Sequence, residues 1–163
     1  MGLGSVRQQV MARSKWLLWL AAGIIALAFM ASNARTAVKQ VRDNLAWLHG
    51  DRFAGYALPW ATYFRTIQQV TRDAKPDAVI ATRKPQLAYL FGGRKAVLYA
   101  YSQNPDSVWR SIAPADYIIV CDFFPEDSTY LYPAVDKYRD SLYVVCRNTV
   151  PGRTQSVVAF GVR

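Results

Sequence analysis

From Trp16 to Ala34 the chain carries no charged side chain, and the centre of that run reads WLLWLAAGIIALAFMA. About 19 residues at a rise of 1.5 Å give a helix of roughly 28 Å, close to the hydrocarbon thickness of a bilayer. Trp16 and Trp19 stand at one end, where amphipathic rings favour the membrane–water interface. Beyond the run, Val38, Val41, Leu45 and Leu48 recur at helical spacing and predict that the helix continues with one apolar stripe. Gly50 is placed to end it. The stretch from His49 to Leu58 reads as a loop. Pro59 suits the first turn of a second helix, whose inner face would carry Trp60, Tyr63, Phe64, Ile67 and Val70. Lys75-Pro76 should close it.

The periodicity then changes. Short apolar runs at Asp77–Thr82, Lys95–Tyr101, Asp116–Cys121, Leu142–Arg147 and Gln155–Val162 read as strands. Helical segments separate the first four: Pro85–Phe91, Pro105–Ile112 behind a possible N-cap at Asn104, and a helix from Asp127 to about Asp140. Alternation of this kind predicts an α/β fold with a three-layer, mainly parallel five-stranded sheet. Only a turn at Val150–Arg153 joins the last two strands, so they should pair antiparallel, in the order 2-1-3-4-5. The expected layout is a cytoplasmic tail (1–15), a transmembrane helix (16–34), membrane-proximal helices and loop (35–75) and an α/β domain (76–163).

Charge orients this picture. The chain has 20 basic and 11 acidic residues, a net charge of +9. Arg7, Arg13 and Lys15 precede the apolar run with no acid among them, and Arg35 and Lys39 follow it. The positive-inside rule puts the N-terminus in the cytoplasm and the domain outside, as in a single-pass protein of a bacterial inner membrane with a periplasmic domain. Arg13, Lys15, Trp16, Trp19 and Arg35 are then the membrane-interface residues. A cleaved leader ending at Ser32-Asn33-Ala34 is the competing reading of the same segment. Basic runs, zinc spacings and a recognition helix are all missing, which argues against nucleic acid, whereas anionic lipid headgroups are natural partners for a tethered basic domain. Two cysteines make no disulfide framework, the one histidine, His49, makes no histidine metal site, and no cofactor motif is found.

Candidate chemistry gathers where strands 1 and 3 should end, the usual ligand position in such sheets. Arg83 and Lys84 follow strand 1 at a helix start and suit a phosphate or carboxylate, although Pro85 removes an N–H there. The plainer alternative is an Arg83–Asp122 ion pair joining two loops. Asp122, Glu126 and Asp127 follow strand 3 and read as acid/base carboxylates or, more simply, as solvated acids with Asp127 capping a helix. Cys121 and Cys146 fall on strands expected to be neighbours, as a disulfide or as buried thiols. Tyr130 and Tyr138 share a predicted helix face beside Tyr132, suited to stacking on sugar, to docking a partner or to ordinary packing. Phe53, Tyr56 and Trp60 suit the membrane interface.

Several phrases, Trp60…Tyr63, Pro76-Asp77-Ala78-Val79-Ile80, Arg83-Lys84-Pro85…Tyr89…Gly93-Arg94 and Asp116-Tyr117-Ile118-Ile119-Val120, together resemble the C-terminal soluble domain of bacterial multi-spanning glycosyltransferases. These are the lipid-phosphosugar-dependent enzymes related to protein mannosyltransferases. The resemblance covers residues 35–163, and the preceding helix would match the family's last span. It implies a fold and a periplasmic placement. It does not imply activity, because the family's catalytic acid lies in the first external loop after the first of many spans, and this chain offers one span. Two functions are therefore expected. One is a non-catalytic single-span subunit docking on a larger membrane protein complex, of transport, respiratory, photosynthetic or cell-envelope type. The other is a fragment or accessory domain of a sugar-transfer system that binds a sugar phosphate.

Overall fold

A computed structural model describes the backbone of residues 3–163 and the side chains of residue 16 and residues 19–163. The chain forms two units, residues 1–55 and residues 56–163.

The first unit is dominated by one helix, α1 (Leu3–Leu48), of 46 residues. At 1.5 Å per residue it is about 69 Å long, more than twice a hydrocarbon core. The stretch Trp19–Leu48 is long and apolar enough to cross a membrane, and none of its most apolar window is buried in protein. Trp16, Trp19, Ile24, Ile25, Leu27 and Phe29 are all exposed, and so is Arg35. The side chains of Arg13 and Lys15 lie outside the described residues. Gly50, at φ 98°, takes the left-handed turn that ends the helix, its N–H bonding back to Trp47 O at 3.0 Å. Phe53, expected at the membrane interface, is instead buried, with its N–H held by Asp51 Oδ1 at 3.1 Å.

The second unit is built on a mixed five-stranded sheet in the order β2-β1-β3-β5-β4. The elements are α2 (Leu58–Asp73), β1 (Val79–Ala81), α3 (Pro85–Gly92), β2 (Lys95–Val97), α4 (Pro105–Ser111), β3 (Tyr117–Cys121), α5 (Tyr132–Lys137), β4 (Leu142–Thr149) and β5 (Ser156–Val162). β1 pairs parallel with β2 and β3, while β5 pairs antiparallel with both β3 and β4. The expected order, with strand 4 beside strand 3, is therefore corrected: the hairpin docks through its second strand. Burial accounts for this. Val157, Val158 and Ala159 are buried in succession, as a strand covered on both faces must be, whereas Tyr143, Val144 and Val145 are exposed. The edge strand β4 also shifts register between Val144 and Cys146. Such a bulge roughens an edge against stray pairing.

Alternation along β3 divides the core. Ile118 and Val120 join Val108, Ile112, Leu131 and Ala134, under α4 and α5. Ile119 and Cys121, one residue out of step, point the other way. Helix α2 packs against β3, β4 and β5 and against α3. Gly92 makes the α2–α3 approach possible, since a Cβ there would lie 2.8 Å from methyl carbons of both Ile67 and Thr71. Trp60, expected on the inner face of α2 or at the membrane interface, takes the inner face, partly buried against Phe124 with ring centroids 5.4 Å apart. Arg94 closes the end of α2, its Nη2 donating to Thr71 O and Ala74 O at 3.3 Å. The helix expected from Asp127 to about Asp140 is broken into a π-turn (Asp127–Leu131), α5 and a 3₁₀ turn (Arg139–Ser141). Pro133 has no N–H to continue an α-helical ladder, and Tyr132 N–H reaches back five residues to Asp127 O.

Candidate functional site

From β1 the chain passes through α3 to β2 on one side, then through α4 to β3 on the other. The topological switch thus lies between the carboxyl ends of β1 and β3, where open α/β sheets bind ligands. Three loops meet there: Thr82-Arg83-Lys84 after β1, Leu98–Tyr101 after β2 and Asp122–Asp127 after β3.

At the bottom of this crevice Asp127 has no exposed surface. Its Oδ1 accepts a short hydrogen bond from Tyr99 Oη, and its Oδ2 accepts the Cys121 N–H at 2.8 Å. Burial pushes the Asp127 carboxyl up to about 6, against the opposing pull of those two bonds and of the Arg83 charge. Burial and the Asp127 bond together hold the Tyr99 phenol far above its ordinary value, so Tyr99 stays a proton donor at neutral pH. Beside this pair, Tyr63 Oη and Thr82 Oγ1 lie 2.8 Å apart, tying α2 to the end of β1.

Above Asp127 lies a layer of rings and charge. Arg83 Nη2 donates to Glu126 Oε1 at 2.9 Å, and its guanidinium carbon is 5.1 Å from the centre of the Tyr101 ring. Tyr101 packs in turn on Tyr130, centroids 5.5 Å apart and tilted by 32°. The bond from Arg83 holds Glu126 below the usual carboxylate range, and the same bond raises Arg83. Glu126 is therefore an ionised partner rather than a proton donor at neutral pH.

The sequence-predicted residues are redistributed accordingly. Arg83 and Tyr130 come together, with Tyr101 and Glu126 as additional members. Asp122 is not the partner of Arg83: its Oδ2 accepts the Ser156 N–H at 3.1 Å and the Ser156 hydroxyl at 2.8 Å, fastening the start of β5. Lys84 occupies the N-cap position of α3 without a side-chain cap. Asp127 is a buried strut and makes no side-chain cap, because its two oxygens are taken by Tyr99 and Cys121. Tyr138 leaves the group. It stacks on Trp109 at 4.5 Å and 14° and donates to Asp106 Oδ1 at 2.9 Å, an oxygen it shares with Lys137. Cys121 and Cys146 are both free and buried, and β5 lies between their strands. Burial raises both thiols. Tyr99 and Tyr101 carried a weak signal in the sequence: two residues apart at a strand end, they leave on the same face.

The arrangement buries the Asp127 carboxyl between the Tyr99 hydroxyl and the Cys121 N–H and pairs Arg83 with Glu126. Among the described residues no cluster of His, Cys, Asp or Glu could hold a metal ion. Comparison with protein-family models, with curated proteins and with solved structures finds no match to this chain.

Proposed function

We propose that the chain is a single-pass membrane subunit whose C-terminal α/β unit docks on a larger membrane protein complex of transport, respiratory, photosynthetic or cell-envelope type. The observation that carries this reading is α1, apolar over a bilayer's length with no protein covering it. Such a surface is stable only in lipid or against other apolar helices. The α/β unit adds a second support. Its strand-end acids are paired, Asp127 with Tyr99 and Glu126 with Arg83, while the edge strand β4 presents Tyr143, Val144 and Val145 to solvent, Val144 with 57% of its surface exposed. Exposed apolar side chains on an unpaired edge suit a protein partner better than a small substrate.

In this reading the N-terminus is cytoplasmic, the membrane is a bacterial inner membrane and the domain is periplasmic. Trp16, Trp19 and Arg35 sit at the lipid interface with Arg13 and Lys15. A sugar-phosphate site at Arg83 and Lys84, as the glycosyltransferase-like phrases suggest, is the weaker reading, since the charge of Arg83 is already paired with Glu126. Purification from native membranes in mild detergent tests the proposal. The expected result is recovery with a larger complex at fixed stoichiometry. Recovery as a lone chain, or with a sugar transferase alone, contradicts it.

A further inference from the structure

Helix α1 carries a repeat that a bilayer alone does not require. Leu20, Leu27, Ala34, Val41 and Leu48 recur every seven residues, and Ile24, Ala31, Val38 and Leu45 repeat the same step between them. The alternating spacing of four and three is that of the a and d positions of a coiled coil, with the first series at d and the second at a. Within the uncharged run this spacing selects nothing, because every position is apolar. Beyond Ala34 it is selective. Val38, Val41, Leu45 and Leu48 keep the phase, while Lys39, Gln40, Arg42, Asp43 and Asn44 fill positions between them. An apolar stripe on a helix outside the lipid needs a covering surface.

Nothing in this chain supplies one. Val38, Val41, Leu45 and Leu48 are each at least half exposed. The segment after the helix turns back on the other side. Asp51 N–H bonds to Ala46 O at 3.0 Å, and a Cβ on Gly55 would lie 3.8 Å from Asp43 Cβ. Asp43 and Ala46 point away from the stripe at 100° per residue, so this turn leaves the stripe open.

Three features fit a second copy of the chain. A seven-residue repeat packs knobs into holes only on a helix of the same repeat, and a second copy has that repeat in register. In the parallel pair that two identically inserted chains must form, each g position faces the e position of the next heptad. Arg35 and Arg42, at e, then meet Met30 and Ala37, so no like charges oppose each other across the seam. Inside the apolar run the seam is flanked by Ala21, Gly23 and Ala28, and a Cβ at Gly23 would meet nothing within 4 Å. Small flanking residues let two backbones approach closely in lipid. The sequence extends the a series back to Leu17, whose side chain lies outside the described residues. A face about 47 Å long and about 10–12 Å wide gives on the order of 1,000 Å² over two copies, the size at which an interface becomes specific.

We propose that two copies of the chain pair in parallel along this stripe of α1, in a left-handed coil that begins in the membrane and runs on to Leu48. The pairing rests on the reading of α1 as a membrane helix and is separate from docking through β4.

The test is thiol cross-linking of the full chain in its own membranes. Cys121 and Cys146 are buried, so the parent should give no linked product. Val41→Cys and Leu48→Cys, at two d positions beyond the apolar run, should each link under mild oxidation and shift the chain to twice its 18.4 kDa. Lys39→Cys and Gln40→Cys, beside Val41 but off the stripe, should stay at the mass of one chain. Leu45→Lys combined with Leu48→Cys sets two like charges across one layer and should abolish the product, while Gln40→Lys combined with Leu48→Cys should keep it. Equal linking at positions on and off the stripe, a product that survives Leu45→Lys, or linkage to a different chain would each overturn the pairing. Alkaline extraction of the same membranes separates the two claims. A chain that is retained but stays unlinked at 41 and 48 rejects the pairing alone, and a chain that is released rejects the membrane reading with it.

Discussion

Asp127 is the residue whose environment most constrains the molecule. Truncating it to alanine strands two buried donors, the Tyr99 hydroxyl and the Cys121 N–H, at a cost of roughly 2–5 kcal/mol. Its titration gives a second readout. The folded carboxyl titrates near 6, against an unfolded value near 4, so between those values the folded state binds more protons than the unfolded state. Stability from this group is therefore greatest below about pH 4 and is lost as pH rises toward 6, by on the order of 3 kcal/mol. Glu126 works in the opposite direction, because its ionised pairing with Arg83 fades as pH falls through its lowered value. The difference between the parent and Asp127→Asn isolates the first effect. Asparagine can present its oxygen to Cys121 N–H and its amide to Tyr99 Oη. Urea unfolding of the two proteins from pH 4 to 7 should show the parent losing stability relative to the variant as pH rises. Parallel curves would contradict the raised titration of the buried carboxyl. Gly92 supplies a steric prediction at the same scale. Gly92→Ala drives a Cβ against Ile67 and Thr71 and should cost about 1–3 kcal/mol, read as a lowered Tm.

At the scale of elements, α1 and α2 were legible because period and length carry their own physics. An uncharged run of bilayer length is the signature of a helix suited to a lipid core or of a leader, and the aromatic stripe of α2 has one buried face. The strand positions were legible for the same reason. The strand order was not. LYVVCR and SVVAFGV are both apolar, and a hairpin can dock through either edge. The choice falls to β5 because Val157, Val158 and Ala159 are buried in succession, whereas Tyr143, Val144 and Val145 of β4 are exposed. The acid pairing with Arg83 was equally hidden. Asp122 and Glu126 are four residues apart, and the loop that sends one to Ser156 and the other to Arg83 forms only with the sheet. The revised order has a chemical consequence. Cys121 and Cys146 lie two strands apart, roughly 9–10 Å, too far for a disulfide. Thiol titration after unfolding of protein kept under oxidising conditions should return two free thiols per chain. Fewer than two would contradict the order.

The whole molecule is a long, lipid-suited helix followed by an α/β unit whose chemistry is turned inward and whose edge is turned outward. Placing a charge in the helix separates these halves experimentally. Ile25→Arg should cost roughly 2.5–3.5 kcal/mol of membrane insertion and release the chain to alkaline extraction, leaving the α/β unit folded. Charging the edge at Val144 and Val145 should leave both insertion and stability within about 0.5 kcal/mol, because both side chains are already exposed, while abolishing the proposed docking. Native mass spectrometry of complexes released from their own membranes tests the central claim in one measurement. The account predicts a particle several times the 18.4 kDa of this chain, from which the chain is ejected at its full mass with the helix retained. A lone chain, or one shortened by the loss of the apolar segment, would contradict it.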